Sequence, residues 1–187
     1  MLTSTERASL LRFARDTIAA HLHGSAPPPS VGLSDPAAHS GAFVTLHAHG
    51  ELRGCIGHPG SSQPLDQVVG VCAVAAATED PRFPSLTAAE LPGVEIEISV
   101  LTPIRPVDAV HEIEVGRDGL VVQEGFRRGL LLPQVAAERG WDRDTFLSHT
   151  CLKAGLKPDA WRTGARISRF QAEVFSEGSE GVDPRRP

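Results

Sequence analysis

In Val94-Glu95-Ile96-Glu97-Ile98-Ser99-Val100 apolar residues alternate strictly with polar ones, the period of a β-strand with one buried face. Such a strand requires a sheet and a layer to cover it. Leu10, Ala14, Ile18 and Leu22 supply one cover, because they recur at helical intervals behind Thr3-Ser4-Thr5-Glu6, which has capping-box spacing. The pattern predicts a helix from Ser4 to His23, stopped by Gly24. Leu65, Val68, Val69, Cys72 and Ala76 predict a second helix over 64–78, which puts Cys72 in the core.

The connectors are equally explicit. Ser25-Ala26-Pro27-Pro28-Pro29-Ser30 is read as an extended segment that separates the first helix from the main body, since consecutive prolines fix the backbone and remove helix donors. Phe43-Val44-Thr45-Leu46 and Leu52-Arg53-Gly54-Cys55-Ile56 flank the turn-rich His47-Ala48-His49-Gly50-Glu51, which predicts a hairpin with the cysteine on its second strand. Thr87-Ala88-Ala89-Glu90 has capping-box spacing and opens a helix kept short by Pro92 and Gly93.

The second half reruns this plan: a strand over 111–115, the turn Gly116-Arg117-Asp118-Gly119, Leu120-Val121-Val122, another turn, then Arg128-Gly129-Leu130-Leu131-Leu132-Pro133. Helices over 134–139 and 144–154 and a strand over 167–175 complete it. Arg128-Gly129 stands where Arg53-Gly54 stood, which raises an ancestral duplication. Residues 176–187 show no apolar face and are read as a flexible tail.

A chain of 187 residues that is 41% hydrophobic has the size and core content of a single domain, here spanning residues 1–187 with its core over about 5–175. A net charge of -5 disfavours nucleic acid as a partner. No apolar run reaches the roughly 18 residues of a membrane span, and the N-terminus lacks the regions of a secretory signal. Three cysteines without a CxxC pair point to a reducing compartment, the cytoplasm.

Cys55 draws the chemistry. Residues two apart on a strand face the same way, so Arg53 is expected beside Cys55, where a guanidinium would stabilise the thiolate for nucleophilic, metal-binding or redox use. Gly54 and Gly57 give backbone access to a ligand or a facing chain. Against this, Cys55 also fits a buried small hydrophobe, with Arg53 paired to a carboxylate and the glycines shaping a bulge or a corner.

Leu52-Arg53-Gly54-Cys55-Ile56-Gly57 resembles the signature of the AMMECR-type domain. Matching stretches follow in order: Glu79-Asp80-Pro81-Arg82-Phe83-Pro84, the strand from Glu95 to Thr102, Gly116-Arg117-Asp118-Gly119-Leu120, Leu131-Leu132-Pro133-Gln134-Val135-Ala136 and Gly140-Trp141-Asp142. The resemblance implies an α+β fold of two related β-β-β-α-α-β units sharing one curved, barrel-like, mostly antiparallel sheet, plus an N-terminal helix. It also implies a place in the AmmeMemoRadiSam set beside a Memo-type protein and a radical S-adenosylmethionine protein. It carries over no reaction and leaves any cofactor unspecified.

The resulting expectation is an accessory protein that binds a partner protein or small ligand at a cleft built by Arg53, Gly54, Cys55, Gly57, Asp80 and Arg82, without a metal. Cys55 as a catalytic thiol is the alternative. In either case Asp80 and Arg82 could orient a polar ligand or tune the thiol, or Asp80 could bond local amides in a capped turn stiffened by Pro81 and Pro84 with Phe83 as a core anchor. His47, His49 and His58 could join Cys55 in a metal site, and His58 or His149 could serve it as a base. Glu95, Glu97 and Ser99 share a strand face and could present paired carboxylates. The lysine-bearing glycine loop of a nucleotide cradle is absent.

Overall fold

A computed structural model describes residues 2–33 and 41–183. Its elements are α1 (Ser4–His23), β1 (Gly41–Ala48), β2 (Glu51–His58), α2 (Leu65–Thr78), β3 (Val94–Leu101), β4 (Arg105–Pro106), β5 (Asp118–Glu124), β6 (Arg127–Leu131), α3 (Pro133–Glu138), α4 (Arg143–Lys153), α5 (Ala160–Thr163), β7 (Arg166–Ser176) and α6 (Glu177–Glu180). They form an α+β fold that divides into two compact units, Met1–Val100 with Glu173–Pro187, and Leu101–Ala172. The strand pairs β1–β2, β4–β7, β5–β6 and β5–β7 are all antiparallel.

In the first unit α1 starts where its capping box lies: the Thr3 hydroxyl accepts from the Glu6 N–H, and the Glu6 carboxylate accepts from the Thr3 N–H at 2.8 Å. Gly24 closes the helix at φ 65°. The strand order is β2-β1-β3, with β7 on the far side of β3. Ala42, Val44, Leu46, Ile96 and Ile98 from the strands and Leu10, Leu11, Ile18, Val69 and Cys72 from α1 and α2 bury one continuous core. The proline segment is extended, as expected, but it is tied to this body rather than set apart. Asp66, buried in the first turn of α2, accepts from the Ser30 hydroxyl and from the Val31 N–H at 3.0 Å, and Val31 and Leu33 pack on the core.

The hairpin turn is His49-Gly50 with φ of 54° and 81°, the left-handed pair that matches the twist of two antiparallel strands. A regular register from this turn would set Arg53 opposite Leu46, on the buried face. A β-bulge prevents that: Leu46 pairs with Gly54, His47 with Leu52, and Arg53 is the extra residue. Gly54 therefore faces α2, and so closely that a Cβ there would overlap the Ala76 carbonyl oxygen. The same device recurs in the second unit, where a Cβ on Gly129 of β6 would overlap the Ala154 backbone nitrogen at the end of α4.

Residues 176–183, the described part of the expected flexible tail over 176–187, are structured instead, and 184–187 lie outside the described residues. The segment turns into α6 and buries Glu177 and Val182. Arg15 of α1, also buried, donates from Nε and Nη2 to the two Glu177 carboxylate oxygens at 2.6 Å each, and to the Val94 and Leu91 carbonyls at 2.6 and 3.0 Å. The Ile96 N–H completes the carboxylate shell at 2.8 Å. Composition missed this because a single charged residue, rather than an apolar face, anchors the segment.

In the second unit the order is β7-β5-β6, with β4 also on β7. Ile113, Leu120, Ala136, Phe146 and Leu147 form one cluster, and Val122, Cys151, Ala154 and Leu156 another. The strand expected over 111–115 is instead a single 3₁₀ turn, Val110–Glu112, held by the Glu112 carboxylate on the Ala109 N–H at 3.2 Å, which drops Ile113 into the core. The helix expected after Thr87 is a turn followed by the 3₁₀ turn Leu91–Gly93.

Since the obstacle at Gly54 is backbone, Gly54→Ala should lower stability by about 3 kcal/mol, the upper end of overpacking effects. Gly93→Ala, where a Cβ meets nothing within 4 Å, should stay within about 0.5 kcal/mol. Chemical denaturation of both variants measures the difference.

Candidate functional site

Past the bulge, Cys55 pairs with Thr45 on the face of the hairpin opposite the core, where residues are half-buried. The Thr45 hydroxyl donates to Cys55 Sγ at 3.4 Å. Two positions on, Gly57 is covered by Phe43, whose ring a Cβ at Gly57 would overlap. Both glycines of the hexamer are thus occupied by protein, Gly54 by helix backbone and Gly57 by an aromatic ring.

Asp80 organises what lies next to Cys55. It ends α2's connection at a turn closed by the Phe83 N–H on its carbonyl at 3.1 Å, and its side chain is only 2% exposed. The carboxylate accepts from the Cys55 N–H at 2.9 Å, the Arg82 N–H at 3.1 Å, and Arg82 Nε and Nη2 at 2.9 and 2.7 Å. Of these four donors the Cys55 N–H ties the loop to β2, and the three from Arg82 fix the guanidinium within the loop. The Arg82 guanidinium, foremost, and the two backbone N–H groups hold the Asp80 carboxyl well below the usual carboxylate range, against the opposing effect of burial.

The expected pairing of Arg53 with the thiol takes a different form. Arg53 Nε and Nη2 reach Glu90 Oε1 at 3.3 and 3.2 Å, and Nη1 donates to the Pro84 carbonyl at 2.9 Å. Glu90 in turn accepts from the Thr87 N–H and hydroxyl at 2.9 and 2.8 Å, which, ahead of Arg53, keep its carboxyl below the ordinary value. The guanidinium that bonds to Cys55's own peptide is that of Arg82, Nη2 to the carbonyl at 3.5 Å. Arg82 remains half exposed, with its guanidinium 5.4 Å from the Phe83 ring centroid, so Phe83 supports a cation at the surface instead of anchoring the core.

The hexamer and the Asp80-Arg82 turn therefore do come together, through Cys55, Asp80 and Arg82, while Arg53 stitches β2 to the following loop. Thr45 and Glu90 were missed as members. Thr45 is found only once the bulge is counted, because the unbulged register sets it opposite Gly54. Glu90 was legible as the end of a capping box, and its second oxygen proved to hold Arg53.

The competing arrangements are not assembled. His47 lies opposite Leu52, His49 in the turn and His58 opposite Ala42, and among the described residues no three His, Cys, Asp or Glu side chains form a metal-binding group. His149 stacks on Trp141 with ring centroids 4.0 Å apart. Glu95 accepts from the Gly178 N–H at 3.2 Å, and Ser99 is buried. Cys72 and Cys151 are core residues, and burial pushes their thiols up, Cys72 to about 11. No helix among the described residues is long and apolar enough to cross a membrane.

The model of the AMMECR1 family matches residues 11–175. A protein of Thermofilum pendens is 46% identical, covering 94% of this chain and 92% of its own length. One of Methanocaldococcus jannaschii is 43% identical over 99% and 94%. Among solved structures, the crystal structure of an uncharacterized protein from Pyrococcus horikoshii superimposes with a TM-score of 0.83 at 39% identity, covering 96% of this chain and 93% of that one.

Because its folded value is depressed, Asp80 contributes stability that is complete above the unfolded carboxyl value near pH 4 and is lost as pH falls through the folded one. Asp80→Asn should cost about 2 kcal/mol at neutral pH and flatten the acid limb of a stability-versus-pH curve below about pH 4. Denaturant titrations of both proteins from acid to neutral pH check this.

Proposed function

The chain belongs to the AMMECR1 family, and from that premise we propose that it is a cytosolic accessory protein whose surface around Cys55, Asp80 and Arg82 binds a partner protein or a small ligand. One observation carries this reading. Asp80 accepts from the peptide nitrogen of Cys55 and from Arg82, and a carboxylate stabilised in this way is a poor general base. The same bonds hold the half-exposed Arg82 guanidinium in a fixed position, which lowers the entropic cost of binding. A Memo-type protein and a radical S-adenosylmethionine protein are the proposed partners, within a redox or modification system. The matching close approaches at Gly54 and Gly129 support descent of the two hairpin-and-helix arrangements from one duplicated ancestor.

The hydroxyl donated by Thr45 to Cys55 Sγ favours a second reading, in which Cys55 is an activated nucleophile or redox centre. Binding to a purified Memo-type protein, followed by titration calorimetry, tests the first. Arg82→Ala should weaken association by roughly tenfold or more, and undiminished affinity in the folded variant would sink it. Thiol labelling at neutral pH separates the two: an accessory role expects Cys55 to label no faster than free cysteine, whereas labelling at least roughly tenfold faster would establish the activated thiol.

A further inference from the structure

The second unit contains a cavity of about 310 Å³ whose wall includes Arg105, Arg117, Asp118, Arg169 and Gln171. Three guanidiniums and one carboxylate line it, and that carboxylate is fully engaged. Asp118, 1% exposed, accepts from the Glu114 N–H at 2.9 Å, Arg169 Nη1 at 3.4 Å and Gln171 Nε2 at 3.4 Å, and lies 3.5 Å from Arg117 Nε. Outside this wall Arg169 also bonds to the Glu112 carbonyl at 2.7 Å and its carboxylate at 3.3 Å, and Arg117 Nη1 pairs with Glu114 at 2.7 Å.

Arg105 is different. On β4 it is directly opposite Arg169 of β7, and like charges in that position destabilise an antiparallel pair. Arg169 has its acidic partners; the Arg105 side chain forms no hydrogen bond or ion pair among the described residues. A cation placed against a cation at the edge of a polar cavity lacks only an anion to balance it.

We propose that this cavity binds a small multivalent oxyanion, the group carried by phosphate monoesters and by polycarboxylates. Arg105 is its principal ligand, the N–H groups of Arg117 and Arg169 not used in these bonds add further donors, and Asp118 is the positioning residue that holds those two guanidiniums in the wall. The volume falls at the small end of ligand sites, which start near 300 Å³, so the anion is a small molecule. The site lies wholly within the second unit, and its test is independent of Cys55.

Titration calorimetry of the full chain at low salt, with orthophosphate, pyrophosphate and citrate as probes, tests the proposal. Arg105→Gln and the surface control Lys157→Gln are measured alongside. One or more probes should bind one-to-one with a Kd of about 1 mM or tighter, weakened at least roughly tenfold by Arg105→Gln and unaffected by Lys157→Gln. Binding of the two phosphates alone identifies a phosphoryl ligand, and binding of citrate alone a polycarboxylate. Because Arg105 opposes Arg169, the ligand-free Arg105→Gln protein should melt at or above the wild-type Tm. Absence of saturable binding, equal affinity in Arg105→Gln, equal loss in Lys157→Gln, or a lowered ligand-free Tm would each overturn it.

Discussion

The first unit is organised around one buried charge pair. Arg15 and Glu177 lie 162 residues apart in sequence, yet each supplies the counter-charge the other needs in an apolar interior. Removing two ions from water is expensive, and the loss is recovered only when geometry is good and the remaining donors and acceptors are satisfied. Here Arg15 also donates to the Leu91 and Val94 carbonyls and Glu177 also accepts from the Ile96 N–H, so one pair joins α1, the turn before β3, β3 and α6. An apolar contact could slide along the core; this network accepts a single register.

The face that carries Cys55 depends on that order through the hairpin. Once the core side of β1 and β2 is set by Val44 and Leu46, the bulge at Arg53 decides which residues emerge on the other side. It brings the side-chain-free Gly54 against α2 and sends Cys55 outward beside Thr45. Asp80 and Glu90 then fasten the following loop to β2 at two points, the Cys55 peptide and the Arg53 guanidinium. The hexamer is therefore half scaffold and half surface, with Arg53, Gly54 and Gly57 shaping the hairpin, and Cys55 half-buried on the outer face next to the half-exposed Arg82.

Much of this was legible locally. The limits of α1 follow from Thr3, Glu6 and Gly24, and β3 from its strict alternation, because caps and periodicity act within a turn or a strand. The expected strand over 111–115 failed for the same reason in reverse, as five residues carry too little pattern to distinguish a strand from a 3₁₀ turn tied by its own Glu112. The flexible tail failed over 176–183 because a buried glutamate looks, in sequence, like any exposed one.

By itself the sequence determined the α+β class, the hairpin carrying Cys55 and the core helices, and it left open whether the Asp80 turn meets the hexamer. Only the tertiary structure decided where each charge ended. Arg53 went to Glu90, Arg82 to Asp80, Arg15 to Glu177, and Arg105 to a place opposite Arg169 where its side chain has no partner among the described residues. Apolar burial is written into residue spacing, since any neighbour of suitable size will serve. A charge selects its partner by distance and direction in space, which residue spacing along the chain does not encode.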